Sequence, residues 1–108
     1  MTVTDVNVRP ELSKKNKYYI SKHRYYELKH LCLQYALLKK ENPEDKRARI
    51  IEQAAKETNE ELSDYILLGV TVGYSYNILR VRYSIPCCQE TYYNLYRKFF
   101  WLLDQARC

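Results

Sequence analysis

Only two glycines and three prolines interrupt the 108 residues, and there is a single tryptophan and a single methionine. So few breakers, with 46% hydrophobic and 29% charged residues, describe one compact soluble domain long enough to bury a core. No apolar run approaches the roughly 20 residues needed to cross a bilayer, and the opening MTVTDVNVRPELSKKNK lacks an apolar signal core. The expected location is therefore the cytoplasm, with no membrane partner. Four cysteines are present, but Cys87 and Cys88 are adjacent, and no secretion signal accompanies Cys32 or Cys108. Reduced thiols follow. His23 and His30 stand seven apart, and neither Cys-x-x-Cys nor His-x-x-x-His spacing occurs, so neither a metal site nor another cofactor is expected. Also missing are a glycine loop for phosphates, a nucleophile elbow and an inward carboxylate pair, which argues against an enzyme. Asp64 and Glu61 are accounted for by helix capping and an exposed face.

What the chain does have is positive charge and tyrosine. The formal net charge is +5, which favours an acidic partner such as nucleic acid. Twelve tyrosines include the doublets Tyr18-Tyr19, Tyr25-Tyr26 and Tyr92-Tyr93. In a helix such a doublet sends one ring to the core and leaves the next at the boundary.

No segment alternates apolar and polar residues, so the expected fold is all-α, with about five helices and no internal repeat. Residues 1–17 read as a mobile basic arm carrying Lys14, Lys15 and Lys17, followed by a single helical domain over 18–108. Leu28, Leu31, Tyr35 and Leu38 make one stripe on a helix from about Tyr18 to Lys40. Asn42-Pro43 ends it, with Asn42 capping a second helix to about Glu57 whose apolar side is Ile50, Ile51, Ala54 and Ala55. Thr58-Asn59-Glu60-Glu61 fits a capping box and opens a third helix, which Gly73 ends in a left-handed conformation. Ser75 caps a short fourth helix with Ile78, Leu79 and Val81 inward. After the break Ile85-Pro86-Cys87-Cys88, a fifth helix runs from about Gln89 on a stripe of Tyr92, Leu95 or Tyr96, Phe99, Leu102 and Leu103.

A short helix, a tight connection and a long basic-aromatic helix are the order of a helix-turn-helix, here over about 60–105. The last helix would then enter a major groove about 12 Å wide. Gln89 and Asn94 suit adenine edges, Arg97 and Lys98 suit guanine or phosphate, and Glu90 suits cytosine. Tyr93 stands on the same stretch, and Lys22, Arg24 and Lys29 add phosphate-binding charge in the first half. Each of these residues also has a plainer reading as a solvated helix face.

The run Gly73-Tyr74-Ser75, Ile78-Leu79, Ile85, Thr91-Tyr92, Arg97, Phe99, Leu102 and Leu103 resembles the promoter-reading C-terminal domain of sigma factors. It is also similar to small phage and prophage regulators of the RinA and ArpU type from Gram-positive bacteria. The resemblance covers roughly Leu62 to Leu103 and implies promoter binding at late phage genes. The interval from Ile85 to Thr91 exceeds that of the family, with Pro86-Cys87-Cys88 in the added space. The rival expectation is a protein-interaction module that binds RNA polymerase or a host defence complex. Phe100 and Trp101 are the candidate interface aromatics, either for such a partner or for a homodimer that spaces two recognition helices about 34 Å apart.

Overall fold

The structure, a computed structural model, describes residues 18–107. Six helices follow one another: α1 Lys22–Leu33, α2 Tyr35–Glu41, α3 Lys46–Thr58, α4 Ser63–Val72, α5 Tyr76–Tyr83 and α6 Gln89–Arg107. Among the described residues there is no strand, and no helix is long and apolar enough to cross a membrane.

The expected first helix is two. At Gln34 the backbone tightens so that its N–H donates to the Leu31 carbonyl at 3.1 Å, and a second helix begins at Tyr35. A stripe spaced three and four runs unbroken across that joint, so periodicity alone could not reveal it. Tyr35 then donates to Glu52 of α3, and the Lys39 Nζ lies 3.0 Å from the same carboxylate. These two partners hold Glu52 below the usual carboxylate range, the tyrosine hydrogen bond contributing most.

Two capping assignments also shift. Asn42 closes α2 in an extended conformation and its side chain accepts from the Glu44 N–H. The cap of α3 is Asp45, which accepts from the N–H groups of Arg47 and Ala48 at 2.8 and 3.3 Å. A carboxylate three residues further on satisfies more orphan donors than the asparagine does. Thr58 does not cap α4 either. It is the buried last residue of α3, where its hydroxyl donates to the Ala54 carbonyl at 2.7 Å. Threonine inside a helix takes this bond to the preceding turn readily. Asn59 accepts from the Leu62 N–H in its place.

Gly73, at φ 88°, ends α4 in the left-handed conformation, and the Ser75 hydroxyl caps α5 by accepting from the Ile78 N–H. α5 buries Tyr76 and Leu79, whereas Ile78 and Val81, expected inside, are 37% and 73% exposed. With only eight residues, the helix buries a narrow edge against α4 and the start of α6 and no more.

α6 runs through the middle of the packing and meets α3, α1 and α4. Because it has neighbours on several sides, it buries a wide arc: Tyr92, Tyr93, Tyr96, Phe99, Phe100 and Leu103. Phe100 lies against Tyr25, Tyr96 and Phe99 with ring centroids 5.0 Å away in each case. The Tyr25 and Tyr96 hydroxyls meet at 2.9 Å inside this cluster. At the far end, Arg24 Nε binds Asp104 at 2.5 Å and joins α1 to α6.

Tyr92 reaches across to α4, where a side chain at Gly69 would overlap its hydroxyl and stand 3.3 Å from Cζ. That hydroxyl is buried with no hydrogen-bond partner among the described residues. Gly69→Ala is therefore expected to lower stability by about 2 kcal/mol even after alanine's better helix propensity. Tyr92→Phe alone should stabilise by about 1 kcal/mol, since it removes an unsatisfied polar group. The double variant should recover most of the Gly69→Ala loss in thermal unfolding. A double variant no better than Gly69→Ala would mean that Tyr92 is not what glycine accommodates.

Candidate nucleic-acid interface

The connection from α5 to α6 is held at several points. Ser84 takes the left-handed conformation at φ 54°, and the N–H groups of Ser84 and Ile85 both point to the Leu79 carbonyl, closing α5 as helices often close. Ile85 is buried and plugs the turn into the core. The Tyr76 hydroxyl donates to the Cys87 carbonyl at 2.6 Å, and the Tyr76 N–H reaches the Tyr93 hydroxyl at 3.4 Å. Tyrosines from both helices thus fix how α5 sits against the start of α6.

Cys88 precedes α6, with its carbonyl accepting from the Tyr92 N–H at 3.0 Å and its sulfur 3.2 Å from the Thr91 hydroxyl. That hydroxyl, with the nearby backbone N–H groups of Thr91 and Glu90, lowers the pKa of the exposed Cys88 thiol. Burial raises that of its neighbour Cys87.

The first turns of α6 bring Cys88, Gln89, Glu90, Tyr93, Asn94 and Arg97 around one open surface groove of about 740 Å³. Five of these are residues expected to face DNA, and Gln89, Glu90 and Asn94 are exposed. Arg97 lies along its own helix and donates to the Tyr93 carbonyl at 3.3 Å and to Asn94 Oδ1 at 3.0 Å. Asn94 therefore presents its amide hydrogens while its oxygen is engaged, so a two-point contact to adenine requires Arg97 to swing out. Lys98 is half-buried and stands outside the groove lining.

Two assignments need correcting. Tyr93 is only 9% exposed and serves as a packing and hydrogen-bonding partner of α5, which leaves it little surface for DNA. Phe100 is fully buried and cannot anchor an interface; Trp101 is half-buried beneath Tyr18, with ring centroids 5.6 Å apart. A stripe spaced at three and four underestimates burial when a helix has neighbours on several sides.

Arg80 and Arg82 were missed by the sequence reading. Both are exposed in the last turn of α5, and neither forms an ion pair among the described residues. From Gly73 to Trp101 the cations Arg80, Arg82, Arg97 and Lys98 face one anion, Glu90. Elsewhere the basic residues are more often paired: Arg24 with Asp104, Lys39 with Glu52, Arg47 with Asp45 and Arg49 with Glu44. Lys29 lies 5.9 Å from the ring centroids of Tyr25 and Tyr26, while Lys22 is exposed. Lys14, Lys15 and Lys17 lie outside the described residues.

His23 and His30 are both exposed, whereas Cys32 is buried and its thiol pushed up to about 12 by desolvation. Among the described residues no group of three or more His, Cys, Asp or Glu side chains is placed to hold a metal ion. Set against known protein families, curated proteins and solved structures, the chain matches none.

Proposed function

We propose that the chain is a duplex-DNA-binding protein that uses α5 and α6 as a helix-turn-helix, acting as a transcriptional regulator of the phage or prophage kind. The observation that carries this reading is the groove at the start of α6, lined by Gln89, Glu90, Asn94 and Arg97, with Arg80 and Arg82 exposed in the last turn of the helix that precedes it. Polar side chains with donors and acceptors suit base edges, and flanking arginines suit phosphates. Arg80 and Arg82 are phosphate contacts in this scheme, and Gln89, Asn94 and Arg97 are the residues nearest to bases.

The test is anisotropy of a labelled mixed-sequence duplex across a salt series. Binding is expected to weaken steeply with salt, because each neutralised phosphate releases condensed counterions. Absence of binding at low salt would reject the proposal.

A second reading has its own observation. Val81 and Ile78 expose aliphatic surface on α5 between the two arginines. That surface favours an acidic, amphipathic protein partner such as a segment of RNA polymerase or a host defence complex. Binding confined to such a protein, with none to duplex, would select this reading.

A further inference from the structure

Two thiols stand side by side in the turn that leads into α6. Cys88 is exposed and lines the α6 groove, with its sulfur 3.2 Å from the Thr91 hydroxyl. Cys87 is only partly exposed and packs against the core. Neither is among the residues matched to base edges or phosphates. The two are chemically unequal. The Thr91 hydroxyl and nearby backbone N–H groups favour the Cys88 thiolate, whereas burial favours the protonated Cys87. The thiolate is the nucleophilic form of cysteine, and an accessible one beside a second thiol is the arrangement at which peroxide chemistry proceeds to a disulfide. Cys32 is fully buried and out of reach of such an oxidant.

We infer that Cys87 and Cys88 are an oxidant-modified site, at which hydrogen peroxide closes a reversible disulfide between the two neighbours. The Cys88 thiolate attacks the peroxide O–O bond, takes one oxygen as a sulfenic acid and releases hydroxide. The Cys87 thiol, giving up its proton, then attacks the Cys88 sulfur and expels the sulfenic oxygen as water. Two electrons pass from the sulfurs to the peroxide oxygens. The products are the S–S bond, water and the hydroxide of the first step.

Closing that ring changes the turn. Adjacent Cα atoms are about 3.8 Å apart across a trans peptide, below the roughly 4.4–6.8 Å that ordinary disulfides span. The bridge is therefore strained and readily reduced, which suits a reversible mark better than a structural tie. Closure also has to draw the Cys87 side chain from the core toward the exposed Cys88 and twist the peptide between them. The carbonyl of that peptide is the one that the Tyr76 hydroxyl holds at 2.6 Å, and the next carbonyl, that of Cys88, accepts from the Tyr92 N–H at 3.0 Å. Oxidation thus loosens both the seat of α5 and the first turn of α6. Its effect on duplex binding rests on the DNA-binding reading; the bridge itself does not.

The test treats the reduced full chain, at low protein concentration, with hydrogen peroxide, then blocks free thiols and digests with trypsin. Cys87 and Cys88 share the tryptic peptide 83–97, which holds no other cysteine. That peptide is expected to lose two hydrogens, to resist alkylation and to regain both thiols with dithiothreitol. Cys87→Ser should stop at a Cys88 sulfenic acid that dimedone traps, and Cys88→Ser should leave the Cys87 thiol unmodified. Hydrogen exchange at the Tyr92 amide should quicken on oxidation and recover on reduction. Duplex affinity should fall about tenfold in the oxidised chain, the worth of one lost contact. Both thiols still free after peroxide, or a bridge to Cys108 or to another copy instead, overturns the inference. A bridge that leaves Tyr92 exchange and duplex affinity as they were overturns its effect on the turn. Failure of the reduced chain to bind duplex, with the bridge formed and Tyr92 exchange quickened, upholds the site and rejects the DNA-binding reading alone.

Discussion

Phe100→Ala is expected to cost about 3–5 kcal/mol of folding stability, against a total of roughly 5–15 kcal/mol for a domain of this size. The ring is fully buried, with Tyr25, Tyr96 and Phe99 around it. Truncation therefore loses the transfer energy of an aromatic side chain and leaves a cavity as well. Neighbouring tyrosines cannot close that cavity cheaply, because the Tyr25 and Tyr96 hydroxyls are tied to each other at 2.9 Å. The denaturant midpoint should fall accordingly, with Trp101→Ala, half-exposed against Tyr18, losing distinctly less. Equal and small losses for the two variants would place Phe100 at the surface and restore it as an interface anchor.

Phe100 also illustrates what a sequence hides. Features whose cause lies within a few residues were legible: the left-handed Gly73, the Ser75 cap, the break over Ile85-Pro86-Cys87-Cys88 and the start of α6 at Gln89. The all-α class followed from the same local signals. Features decided by neighbours distant in sequence were not. Whether Phe100 faces core or solvent depends on α1 and α3 both reaching α6, which no spacing within α6 records. The joint at Gln34 carries no proline or glycine to announce it, and Thr58 changed role because a bond to Ala54 competes with capping. Val81 failed in the other direction, since an apolar residue on a short helix need not find a partner.

The groove residues were legible as the polar side of a helix, and Gln89, Glu90, Asn94 and Arg97 do share one surface depression. Arg80 and Arg82 flank Val81 on a short helix whose apolar residues read as its inward side. Their signal was available: with Leu79 inward, the helical repeat turns Arg80 and Arg82 toward the flanks and Val81 outward. Tyr93 was misplaced because its contribution is to Tyr76 across the turn, a contact between elements.

Arg97→Ala combined with Lys98→Ala should weaken duplex binding by at least tenfold at low salt, with each lost contact worth about 1–3 kcal/mol. If both side chains meet phosphates, the slope of log affinity against log salt should also become shallower by about two. The fold should survive, since both side chains are only half-buried. Releasing Asn94 from Arg97 makes its oxygen available, so part of any base contact through Asn94 would persist in the variant. Affinity would then fall more than the discrimination between sequences. Arg80→Ala with Arg82→Ala supplies the contrast: loss of affinity across all sequences, with sequence preference unchanged, is the result for residues that meet only the backbone. If the Arg97 and Lys98 pair leaves binding intact while the Arg80 and Arg82 pair abolishes it, the charged surface of α5 holds the nucleic acid and α6 is only its support.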